Sequence, residues 1–188
     1  MRKPVLVLAS RSPRRVELLR EAGIKFTRSP SSSPETHDLK RPSAIVKALA
    51  LEKAFDVARR FPGRPVLGAD TLVYCKGEIL GKPAGSKDAL RLLRMQNGSW
   101  QTVYSGVALV WPAKGLVLAG LESSRCKARR LTSARLEALA GKHPDKAGAY
   151  AVQDAEDEFI ERIDGRFDTV VGLPMNLVRK FMKKAGIL

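Results

Sequence analysis

Apolar residues run unbroken from Val5 to Ala9, which predicts a strand buried on both faces. Ser12 and Pro13 follow, an N-cap before proline at the first helical position. The helix they open carries Val16, Leu18 and Leu19 inward and ends at Gly23. Lys25–Arg28 reads as a second short strand. Residues 29–42 are rich in Ser, Pro and charge, and form a loop long enough to suggest function. Ser43 caps a second helix running to about Arg60, with Ile45, Val46, Leu49, Ala50, Ala54 and Val57 on one stripe.

Pro65–Leu67 is a short strand entering Gly68-Ala69-Asp70-Thr71. Leu72–Cys75 and Glu78–Leu80 make a hairpin across Lys76-Gly77. Gly81-Lys82-Pro83 breaks the pattern, and Ser86 caps a helix to about Met95. Two longer β segments follow, near Gln101–Val110 and Leu116–Lys127. A helix over Thr132–Ala140, strands near Ala149–Gln153 and Phe159–Ile163, and a helix over Pro174–Ala185 complete the chain. Helices alternate with strands and no linker or repeat divides them. The expectation is a single α/β domain over residues 1–188 with a mixed sheet.

Composition narrows the class. With 188 residues and 44% hydrophobic content, long disorder is excluded. The longest apolar runs fall far short of the roughly 20 residues that span a bilayer, and Val5–Ala9 is shorter than a signal-peptide core. A cytosolic protein with no membrane partner is expected. Cys75 and Cys126 agree with a reducing compartment, and His37 and His143 stand too far apart to suggest zinc. The charge is conspicuous: 34 basic against 19 acidic residues, net +15. Six of the acids (Asp154, Glu156, Asp157, Glu158, Glu161 and Asp164) share one short stretch, so the rest is more basic still. Such a balance suits polyanions or a solvated basic surface. Aromatics are only 6% and do not interleave with basic residues along the chain, which argues against a nucleic-acid stacking platform.

Four polar clusters fall at element ends, where α/β sheets place their sites. The stretch from Ser10 to Arg15 joins a strand to a helix N-terminus, a receptor for phosphate or simply a cap with wet basic residues. Asp70, after an apolar strand and between small residues, can hold a divalent cation or take a proton from water; the alternative is a turn carboxylate. Lys82 lies between Gly81 and Pro83, by itself a plain turn. Asp145–Tyr150 with Gln153 allows close backbone approach to a flat ligand, and an amide can read a base edge. Together, Arg14, Arg15, Lys53 and Lys82 offer charge to neutralise a triphosphate. No Ser/His/Asp arrangement and no nucleotide-binding glycine motif is present, so water attack on a metal-bound phosphate is the simplest chemistry.

These stretches resemble the Maf family of nucleoside triphosphate pyrophosphatases, related in fold to inosine triphosphate pyrophosphatases. The resemblance rests on Leu8–Leu19, Val66–Val73, Gly81–Pro83 with Asp88–Leu93, Asp145–Gln153 and Val170–Pro174, in family order over nearly the whole chain. It implies an elongated mixed sheet flanked by helices, two lobes and a central cleft. The implied reaction cleaves a nucleoside triphosphate to the monophosphate and pyrophosphate, with a divalent cation (Mg²⁺ or Mn²⁺). Carried over by motif, Asp70 is the catalytic carboxylate and a metal ligand, with Glu35 sharing the metal. Ser10, Arg14, Arg15, Lys53 and Lys82 are phosphate contacts. Arg14, Thr71 and Gln153 match the branch acting on dTTP and UTP.

The chain departs from the family pattern twice. Asp154 follows the matching glutamine where glycine is usual, and Gln101 stands near a position where histidine is common. Both put fine base preference in question. A homodimer is the default expectation for such an enzyme. Two other readings compete, a nucleic-acid-binding protein using the +15 charge and a cell-division regulator on the same fold.

Overall fold

The computed structural model describes residues 5–34, 38–144, 146–152 and 158–188. In chain order the elements are β1 (Leu6–Leu8), α1 (Pro13–Glu21), β2 (Phe26–Arg28), α2 (Pro42–Ala58), β3 (Val66–Cys75), β4 (Glu78–Leu80), α3 (Ser86–Gln96), β5 (Trp100–Trp111), β6 (Leu116–Ala128), α4 (Ser133–Leu139), β7 (Ile160–Asp164), α5 (Phe167–Val171) and α6 (Met175–Lys184). One sheet has the order β2-β1-β3-β5-β6-β7, with β4 paired to β3. It is mixed. β1 lies parallel to β2 and β3, with Leu8 opposite Leu67, whereas β4 and β7 run antiparallel to β3 and β6.

The chain divides into two compact units, one of Met1–Asp70, Ser105–Glu122 and Gly172–Leu188, the other of Thr71–Tyr104 and Ser123–Val171. In the first, alternation along β1 sends side chains into two cores. Leu6 and Leu8 pack with Val16 and Leu19 of α1 and Val178 and Phe181 of α6. Val7 and Ala9 pack with Ala50, Ala54 and Val57 of α2. The continuous apolar run at the N-terminus is therefore the signature of a strand covered on both sides. In the second unit, Val73, Val103 and Cys126 meet Ala89, Leu92 and Leu93 of α3 and Leu136 and Leu139 of α4.

Helix ends follow local chemistry. Ser12 caps α1 by accepting from the Arg15 N–H, and Gly23 and Ile24 close it by donating to the Arg20 and Leu19 carbonyls, a Schellman arrangement. Two expected caps are displaced. α2 starts at Pro42 with Arg41 as N-cap, because proline's fixed φ suits the first helical position and leaves Ser43 inside the helix. α3 starts at Ser86 with Gly85 before it, and Asp88 in the first turn reaches back to the Ala84 N–H at 3.0 Å. That bond ties down Ala84, the residue before the N-cap; the N-cap itself, Gly85, has no side chain to cap the first N–H groups.

Three other expectations are corrected. Gly68-Ala69-Asp70-Thr71 does not interrupt the sheet but lies inside β3. Of the strand expected at Ala149–Gln153, Ala149 ends a 3₁₀ turn over Ala147–Ala149, and Tyr150 to Val152 are not in a strand. α5 was not anticipated; five residues are too few to show helical periodicity.

Candidate active site

The first unit assembles its chemistry at the carboxyl end of β1 and in the adjoining part of β3. Ser10 lies just beyond β1 and is buried. Its Oγ accepts from the Ser12 N–H at 3.2 Å and from Arg15 Nη1 at 3.3 Å. Arg15 also donates from Nη1 to the Ala69 carbonyl at 2.8 Å and from Nε to the Gly172 carbonyl at 2.9 Å. Its guanidinium thus ties the N-terminal turn of α1 to the residue before Asp70 and to the turn before α6. Arg14 is half-buried on the same turn.

Asp70 and Lys53 form the centre. Lys53 Nζ donates to Asp70 Oδ1 at 2.6 Å, and both residues are more than nine-tenths buried. The second carboxylate oxygen, Asp70 Oδ2, is buried with no hydrogen-bond partner among the described residues. A buried charged oxygen without a partner is costly. Such an oxygen can bind a cation or accept from a water or a substrate hydrogen.

Two glycines set the geometry of this pair. A Cβ on Gly68 would lie 2.2 Å from the Ala50 carbonyl oxygen and 2.8 Å from the Ala54 nitrogen; one on Gly106 would lie 2.2 Å from the Val46 carbonyl oxygen. Val46, Ala50 and Ala54 are successive i, i+4 positions of α2. The helix backbone therefore rests directly on β3 and β5, and Lys53, one residue before Ala54, reaches a carboxylate two residues beyond Gly68.

The second unit carries Thr71, half-buried in β3, and Lys82, exposed in the turn after β4. Glu35 and Gln153 lie outside the described residues. Among the described residues no group of three or more His, Cys, Asp or Glu forms a metal cluster. A magnesium-like ion asks for less, since it binds through one or two carboxylates plus waters and substrate phosphates. The Asp70 carboxylate fits that requirement as a single ligand. Neither thiol competes as a nucleophile: burial pushes Cys126 up to about 12 and also raises Cys75.

Two features of the site region have roles that lie outside the motifs of the sequence. The seating glycines show no period of their own. Gln96, by contrast, had a signal: it stands on the apolar face of α3 with Ala89, Leu92 and Leu93, at helical spacing, and is completely buried.

Fold and site together define a class, an α/β protein with a basic cluster around one buried carboxylate at the end of a parallel strand pair. The family model described as "Maf-like protein" matches residues 5–185, and the chain belongs to the Maf family. A protein named dTTP/UTP pyrophosphatase from Elusimicrobium minutum (strain Pei191) is 51% identical over 181 residues, covering 96% of this chain and 98% of its own. Proteins of the same name from Gloeobacter violaceus and Geobacter sulfurreducens are 43% and 39% identical, covering 92% and 100% of this chain and the same shares of their own. The solved structure of the Staphylococcus aureus Ham1 protein aligns with a TM-score of 0.55 at 12% identity, over 96% of this chain and 98% of that one, a likeness of fold.

Proposed function

We propose that this protein hydrolyses dTTP and UTP to the monophosphate and pyrophosphate. Membership of the Maf family and relatives named for that activity support the reading. The observation that carries it is the buried Lys53–Asp70 pair with Oδ2 uncommitted. Lys53 holds one carboxylate oxygen and fixes the group's orientation. Oδ2 accepts the proton of the attacking water as its oxygen bonds to phosphorus, and the bridging P–O bond between the α and β phosphates breaks. Pyrophosphate leaves with the bonding electron pair. Arg14, Arg15, Lys53 and Lys82 offset the phosphate charge. Arg15 does so from a position already fixed by Ala69 and Gly172.

The Asp70 carboxylate, with help from Glu35, would hold a divalent cation, Mg²⁺ or Mn²⁺, which would supply charge neutralisation and a more acidic water. Base choice falls to Arg14, Thr71 and Gln153. Uracil and thymine present a carbonyl–imide–carbonyl edge that an amide meets with one donor and one acceptor, whereas cytosine places an amine against Arg14. No helix among the described residues is long and apolar enough to cross a membrane. The reading is of a cytosolic enzyme, assembled as a homodimer.

Pyrophosphate release across canonical and modified nucleoside triphosphates, with Mg²⁺ or Mn²⁺, tests it. The expected result is turnover of dTTP and UTP above CTP and the purine nucleotides, with the UTP-to-CTP preference reduced in Gln153→Ala. A tenfold preference for CTP or a purine nucleotide, about 1.4 kcal/mol, overturns the assignment of the base-reading residues.

A further inference from the structure

Gln96 sits at the end of α3 with no exposed surface. Its Nε2 donates twice, to the Leu92 carbonyl at 2.9 Å and to the Gly148 carbonyl at 2.8 Å. The first bond is within the helix; the second crosses 52 residues of sequence. Gly148 in turn donates its own N–H to the Gly81 carbonyl at 3.1 Å. One buried amide, the backbone of Gly148 and the residue before Lys82 are therefore linked in series, Gly148 accepting through its carbonyl and donating through the N–H on the other side of its Cα.

The turn that Gln96 holds is strained. Gly148 has φ +78° and Ala149 has φ +63°, and Ala149 is almost fully buried. A residue with a Cβ in this region of backbone space costs free energy and persists only where its surroundings over-determine it. A Cβ on Gly148 itself would lie 2.9 Å from the Tyr150 ring and 3.0 Å from Gln96 Oε1, so the amide side chain occupies the space on that side of the turn. A leucine on this face would bury as much surface and hold nothing. The amide costs burial of a polar group whose Oε1 has no partner among the described residues. What it achieves is the placement of one carbonyl.

We propose that Gln96 is a positioning residue for nucleotide binding. Through Gly148 it fixes the Gly81 carbonyl, and with it the backbone from which Lys82 extends. The inference rests on the reading of Lys82 as a phosphate contact. Without the amide, the turn at Gly148 relaxes and Lys82 loses its fixed origin. Substrate binding weakens, while the Lys53–Asp70 pair in the other unit keeps its own supports.

A double-mutant cycle tests this with UTP as substrate and pyrophosphate as product. Gln96→Met keeps the side-chain volume and removes both donated bonds. The expected result is a KM raised about three- to tenfold with kcat within about twofold. Lys82→Ala raises KM as well, and Gln96→Met adds nothing in the Lys82→Ala background, because residues acting through one another are not additive. A residue that merely supports the core gives the opposite result: a lower melting temperature and active fraction, an unchanged KM, and an effect that persists in the Lys82→Ala background. Either that pattern or an unchanged KM overturns the inference. If Gln96→Met does not fold, Gln96→Asn, which keeps an amide one methylene short, takes its place in the same cycle. Failure of the functional reading looks different: wild-type protein without activity on UTP or dTTP, or a Lys82→Ala variant with normal KM.

Discussion

Lys53 Nζ lies 2.6 Å from Asp70 Oδ1, a helix residue and a strand residue paired where almost no solvent reaches either. The two have separable contributions. Asp70→Asn keeps the shape and removes the basic oxygen, so kcat falls by about 10² or more, the usual contribution of a general base, with substrate still bound. Lys53→Met leaves a buried carboxylate without its counter-charge, and removing one partner of such a pair costs about 3–5 kcal/mol. Steady-state kinetics and denaturant unfolding of both variants check these outcomes. Near-normal turnover in Asp70→Asn removes the carboxylate from the mechanism.

The contact between α2 and β3 makes a second prediction. Gly68→Ala drives a methyl group into the Ala50 carbonyl, which is backbone and cannot swing aside. The helix must lift, so the variant loses about 1–3 kcal/mol of stability, as overpacked cores do, and turnover falls with it. Gly63→Ala is the control, since nothing lies within 4 Å of a Cβ there. Equal melting temperatures for the two variants would contradict the direct seating of the helix.

Gln101 makes a third. It is 2% exposed, and neither its Oε1 nor its Nε2 has a partner among the described residues. Strand alternation puts it on the face of β5 that carries Val103, part of the second unit's core. Replacing an unpaired buried amide by an apolar side chain of similar size removes a desolvation cost of about 1–3 kcal/mol. Gln101→Met is therefore expected to raise the denaturant midpoint. A lowered midpoint would mean that the amide has a partner in solution, such as an ordered water.

Acid sensitivity of the loop before α2 is the fourth. The Ser31 hydroxyl, donating at 2.7 Å, and then the Ser32 N–H, at 2.9 Å, hold the Asp56 carboxyl below its ordinary value of 3.8; Arg60 and Arg59 add to the effect. A depressed folded-state pKa contributes stability that is fully present above the unfolded value. That stability is lost as pH falls below about 3.8 toward the folded value. Asp56→Asn should therefore be less stable than wild type at neutral pH, and the gap should close on acidification below that value. Melting curves from pH 7 to 3 read this directly. A gap independent of pH would assign the loss to packing.

Much of the first unit was legible because local chemistry and tertiary demand agree there. Val5–Ala9 alternates into two cores, Ser12 caps where a serine before proline should, and Arg15 of the following turn reaches the carbonyl next to Asp70. What was not legible depends on contact between distant segments. Gly68-Ala69-Asp70-Thr71 has the composition of a break, yet its small residues are there because a helix lies against them, so the strand continues. The charge-paired partner of Asp70 is 17 residues away, and no period links the two. Basic residues meet aromatics across strands as well as along the chain: the Arg125 guanidinium lies 4.6 Å from the Trp100 ring centre, and Lys114 lies over Trp111. Gln96 was visible only as a polar residue on an apolar face, and its bond to Gly148 spans too much sequence for any spacing rule.

The main-chain seat of α2 bears on how this protein tolerates change. In most enzymes the spacing of catalytic groups is inherited from side-chain packing, and each substitution in the core perturbs it slightly. Here peptide groups of Val46, Ala50 and Ala54 bear on Gly68 and Gly106, so the separation of α2 from β3 and β5 is set by atoms every residue shares. The apolar side chains around α2 can drift in identity over many generations while the helix keeps its distance from the two strands. The two glycines carry the constraint that would otherwise fall on the whole core.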